Sequence, residues 1–153
     1  MKQERWFERY AWLWFAVLSG AVIPLALVVY INPPAAIDLW ARFGYELPAA
    51  IAGDEASLGY VEFISHWAST GTIGFDLFAL AVAVTAFRRG ERWAWLVFWY
   101  WAVLFVTHFF TYQSDFRYLQ LLWLVITLLV LAATFKRAWR RHAEHDVVAG
   151  DVR

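Results

Sequence analysis

The chain has 153 residues, 62% of them hydrophobic and 20% aromatic, with 11 tryptophans. A water-soluble domain is about half apolar, so the excess points to lipid, and the length allows one domain. Lys+Arg and Asp+Glu balance at 13 each, which names no nucleic-acid partner, and the lack of cysteine excludes thiol–disulfide chemistry, thiolate metal sites and palmitoylation.

The opening "MKQERWFERY" has the charge of a signal peptide. The apolar run behind it is too long for one and lacks a small-residue cleavage site, so it is expected to be retained. A membrane-spanning helix needs roughly 20 apolar residues. The first such segment is 11–31, bent by Pro24. Residues 32–59 are the one long connection. "NPP" stops the helix, and in "AAIDLWARFG" the residues Ile37, Trp40, Ala41 and Gly44 share a helical face. A short interfacial helix is expected there, covering the outer end of the molecule.

The second span is 60–87, followed by the basic turn "RRGER". The third is 93–112, and "QSDFR" leads to the fourth, 118–135. Residues 136–153 form a polar tail, expected to be a fraying helix. The tight turns between successive spans predict an all-α, antiparallel four-helix bundle. Eleven of the 13 basic residues, all but Arg42 and Arg117, fall at the N-terminus, in the "RRGER" turn or in the tail. That asymmetry predicts cytoplasmic N- and C-termini and an outer 32–59 loop. The setting would be a bacterial-type cytoplasmic membrane. Trp6, Trp12, Trp93 and Trp95 are expected to anchor at its surface.

The second span carries Glu62, His66 and Asp76, which lipid disfavours. With Ser69 and Ile73 they form a stripe within roughly 80° of arc. Phe63, Trp67, Phe78 and Val82 lie opposite. The stripe is therefore expected to face the bundle interior, with Glu62 and His66 hydrogen-bonded one turn apart. In the third span Trp101, Phe105, His108 and Tyr112 share a face, and in the fourth Gln120, Trp123 and Thr127 do. Threaded antiparallel, these helices bring Glu62, His66, His108, Gln120 and Trp123 to one level in the outer half. A polar pocket lined with aromatics results, of the kind that takes small molecules. Asp76 lies deeper, near the bilayer middle, within reach of a hydroxyl such as Thr127 or Ser19.

The expected function is binding of a lipophilic small molecule. Acid–base chemistry (isomerisation, cyclisation or hydrolysis) would be carried by Glu62, His66, His108 and Asp76. Trp101, Tyr112, Gln120 and Trp123 would line the site. A haem or metal held by His66 and His108 is one alternative. A non-catalytic subunit of a larger membrane complex is another. Small residues at Ala16, Gly20, Gly71, Gly74, Ala79 and Ala83 suit close helix approach within the chain or in a homodimer.

The run "QLLWLV", with Gln120 and Trp123, and the acidic Glu62 opening the second span after a long connection are similar to features of the EXPERA family. That family comprises the four-helix membrane domains of sterol isomerases and related sterol-binding proteins. The resemblance covers the latter half of the chain and implies a sterol-sized lipophile. The first span departs from it, lacking the His and Glu that the isomerases carry.

Overall fold

The computed structural model describes residues 6–42, 44, 53–112 and 115–150, with side chains to Trp139 except those of Glu8 and Ala35. The described residues are helical, with no strand among them. The helices are α1 (Trp6–Tyr10), α2 (Trp12–Ile31), α3 (Pro34–Arg42), α4 (Glu55–Val82), α5 (Arg92–Val97), α6 (Trp99–Thr111) and α7 (Phe116–Gly150). Four stretches are long and apolar enough to cross a membrane: Trp12–Ile31, Glu55–Phe87, Arg92–Thr111 and Phe116–Trp139.

The second stretch starts five residues before the predicted position, at Glu55 rather than residue 60. Asp54 is the cause. Its carboxylate accepts from the Ser57 amide at 3.0 Å and from the Ser57 hydroxyl. An N-cap of this kind satisfies a helix-start donor that would otherwise be unpaired. The side-chain and backbone bonds from Ser57 hold the Asp54 carboxyl below its ordinary value of 3.8. At its other end α4 runs into a π-helical turn, Ala83–Phe87. The third stretch is interrupted at Phe98, which joins α5 to α6. Pro24 lies inside a continuous α2, and α7 continues helically to Gly150. A short helix is present at Pro34–Arg42. Most of the return from it toward α4, residues 45–52, lies outside the described residues, as do Lys2, Arg5 and the side chains of His142 and His145.

Two helix pairs make up the structure. Helix α2 packs along α4, and α6 packs along α7. Between the pairs, backbones approach closely through the π-turn, α5 and α1. An aromatic knot closes that junction. Phe15 stacks on Phe98 with ring centroids 4.1 Å apart, and Phe87 meets both rings edge-on at 5.0 and 5.1 Å. Phe15 and Phe98 are fully buried.

The basic groups cluster at the same junction. Arg137 Nη2 donates to the Arg88 carbonyl at 2.7 Å. Arg88 lies over the Trp12 ring and Arg92 over the Trp139 ring, at 5.3 and 4.5 Å. Toward the other ends of the helices, Tyr30 of α2 meets His66 of α4, and Tyr112 meets Phe116.

Trp95 departs from its expected place at the membrane surface. It is buried, and its indole N–H donates to the Leu131 carbonyl at 2.9 Å. Trp6 and Trp93 are exposed, as anchors would be. Gly20, Gly71 and Gly74 do not serve close packing within the chain, because a Cβ at each would meet nothing within 4 Å. Ala79 and Ala83 are buried and do.

Candidate functional site: a cleft between the helix pairs

Where the pairs diverge they leave a cleft of about 1020 Å³. Its walls differ in chemistry. Helix α2 supplies an aliphatic side from Val17, Leu18, Ala21, Val22 and Leu25. Helix α4 supplies Ala68, Gly71, Thr72, Phe75 and Asp76. Helices α6 and α7 supply Tyr100, Trp101, Leu104, Phe105, His108, Gln120 and Trp123. Trp40 of α3 and Tyr112 also reach it. The lining is overwhelmingly apolar, with few polar groups, as in small-molecule sites generally.

The cleft gathers six of the eight residues expected at the site: Asp76, His108, Trp101, Tyr112, Gln120 and Trp123. The shared faces of the third and fourth spans therefore both open onto it. Glu62 and His66 are not among its lining residues and are exposed. The His66 ring packs edge-on against Tyr30, with centroids 5.2 Å apart. Its Nδ1–H donates to the Glu62 backbone carbonyl at 3.1 Å, where a bond to the Glu62 side chain was expected.

Helix rotation explains the difference. The positions of α4 that turn inward are Ser65, Ser69, Asp76, Ala79 and Val82, followed by Ala83 of the π-turn. At about 100° per residue, His66 lies roughly 80° around the helix from Asp76. The cleft begins on the other side of Asp76, at Thr72, Ala68 and Phe75. Sequence periodicity defined a polar stripe, but its two edges face different surroundings. Of the residues opposite the stripe, Phe63, Trp67 and Phe78 are exposed, with Trp67 also lining the cleft, and Val82 is buried in the core.

Two polar contacts and an aromatic cluster define the interior. The Trp14 indole N–H donates to Thr127 Oγ1 at 3.0 Å, tying α2 to α7. Thr127 is thus engaged by Trp14 rather than by Asp76. The Gln120 side chain lies within hydrogen-bonding reach of the His108 ring. Phe75 sits 4.4 Å from the Tyr100 ring and 6.3 Å from the Trp101 ring, centroid to centroid.

Three buried polar atoms of cleft residues have no hydrogen-bond partner: Asp76 Oδ1, Trp101 Nε1 and Gln120 Oε1. Asp76 is 2% exposed. Buried polar atoms are almost always paired, and each orphan costs about 1–3 kcal/mol. Three on one cleft form a set of unmet valences.

Sequence reasoning missed Trp14 and Tyr100. The Trp14–Thr127 bond joins residues 113 positions apart, beyond any local pattern. Tyr100 carries a signal in its position beside Trp101 in the aromatic run. Among the described residues, no three His, Cys, Asp or Glu side chains come together as a metal site would require. His66 and His108 do not share the cleft.

Compared with known protein families, curated proteins and solved structures, the chain matches none.

Proposed function

We propose that the protein is a multi-pass membrane protein whose cleft holds a lipophilic small molecule. The observation that carries the reading is the set of three unpartnered polar atoms on a largely apolar wall. An apolar body would fill the space between the helix pairs, and a polar group would meet the orphans.

The threading follows from the same contacts. Trp12, the Arg88–Arg92 turn and the Arg137–Trp139 segment converge at one end. That convergence supports four antiparallel spans, with the basic end in the cytoplasm. The cleft then opens in the outer half of the bilayer, beside the Pro34–Arg42 helix. Any acid–base chemistry on the bound molecule would fall to Asp76 and His108, since Glu62 and His66 lie outside the cleft.

Native mass spectrometry of protein extracted in mild detergent tests this reading. The expected result is a discrete added mass from a hydrophobic compound, near one per chain. Protein that neither retains such a compound nor takes one up when it is supplied would overturn the reading.

A further inference from the structure

The unpartnered atoms differ in kind, and that difference selects a ligand class. Asp76 Oδ1 is an oxygen, an acceptor when the carboxyl is ionised. Trp101 Nε1–H is a donor and nothing else. The two residues sit at the same depth of the cleft. Phe75, the neighbour of Asp76, packs against the rings of both Tyr100 and Trp101, at 4.4 and 6.3 Å between centroids. His108 and Gln120 belong to a separate level, since His108 is seven residues, or about 10 Å, along α6 from Trp101.

A group that satisfies both orphans at the Asp76 level must donate once and accept once. An ammonium donates only. An ether or ester oxygen accepts only. A hydroxyl does both. Its body must be apolar to lie against Val17, Leu18, Ala21 and Phe75.

We propose that the cleft binds a lipophilic alcohol, polar end innermost, with its hydroxyl donating to Asp76 and accepting from the Trp101 indole N–H. This rests on the reading of the cleft as a lipophile site. The carboxyl and indole would then gain the partners they lack, while the rest of the molecule stays in an apolar channel. A site built to hydrogen-bond a hydroxyl discriminates strongly against analogues without it, because its own polar groups are then left unpaired.

The test compares three probes of one chain length: 12-bromododecan-1-ol, its methyl ether, and the corresponding primary ammonium. Binding to the detergent-solubilised protein is read by bromine quenching of tryptophan fluorescence, with unlabelled dodecanol as competitor. The alcohol should bind at least tenfold tighter than the ether or the ammonium. Asp76→Leu should bring the alcohol down to the ether, whereas Asp76→Asn, which keeps a donor and an acceptor, should retain most of the preference. Trp101→Phe should weaken alcohol and ether by similar factors, since both accept from the indole.

Equal binding of alcohol and ether to wild-type protein, or tighter binding of the ammonium, would overturn the alcohol assignment and leave the lipophile site standing. Failure of all three probes to show saturable, competable quenching would overturn both. The wild-type comparison decides the matter even where a variant fails to fold.

Discussion

The indole N–H of Trp14 donates to Thr127 Oγ1 across 3.0 Å, joining the start of α2 to the middle of the fourth apolar stretch. Trp14 lines the cleft and Thr127 is fully buried beside it. The bond ties one helix pair to the other beside the cleft. Thr127→Val keeps the volume and removes the acceptor. The expected cost is about 1 kcal/mol, within the range for hydrogen bonds between helices in membranes. It is measured as a lower thermal midpoint in detergent, accompanied by a changed Trp14 emission. A Trp14→Phe, Thr127→Val double variant should lose little more than either single one.

Gly71 lines the cleft, and a Cβ placed there meets nothing within 4 Å. Gly74 has equal freedom but is not a lining residue. Gly71→Leu should therefore fold and fill the cleft, whereas Gly74→Leu should leave it open. Both gain helix propensity, about 1 kcal/mol relative to glycine. Saturable binding of a lipophilic probe should fall at least tenfold in the first variant and stay within twofold in the second. Equal effects from the two would show that binding occurs on the outer surface.

Gly90 turns the chain between the second and third spans with φ +76°. A Cβ there would stand 3.1 Å from Cγ and Nε of Arg137, whose guanidinium is bonded to the Arg88 carbonyl. Gly90→Ala pays twice, for the left-handed backbone and for displacing Arg137. The backbone term alone costs roughly 1–2 kcal/mol. A lower unfolding midpoint is expected, and Arg137→Ala should recover part of it by clearing the space.

Asp54 gives the molecule a pH-dependent helix start. Its carboxyl is held below 3.8 in the folded chain by Ser57. A depressed value means that the folded state favours the ionised form, so the contribution is present above the unfolded value of 3.8 and is lost as pH falls through the folded one. The Ser57 amide resonance should titrate with a midpoint under 3.8, and Asp54→Asn should abolish that titration.

The four apolar stretches were legible because lipid requires length and hydrophobicity, both of which a local window reads. Trp101, His108, Gln120 and Trp123 were legible as cleft residues because each helix face was short and its period clear. Glu62 and His66 were not, and the reason is rotational. A stripe of roughly 80° spans two environments, and only contacts with α2 decide which edge turns inward. The preference of His66 for the Tyr30 ring comes from a residue 36 positions earlier. Trp95 misled for a related reason. A tryptophan near a span end favours the interface on average, but here the Leu131 carbonyl offers its indole a buried partner. The early start of α4 was within reach, since "DEAS" carries an N-cap acceptor and its donor three residues apart.

Photolabelling with an aliphatic diazirine alcohol, followed by peptide mapping, tests the central claim most directly. Adducts should concentrate on the Ala68–Asp76 and Tyr100–His108 segments and disappear when excess unlabelled alcohol is added. Labelling spread over outward residues such as Phe110 and Leu129, insensitive to competitor, would contradict the account.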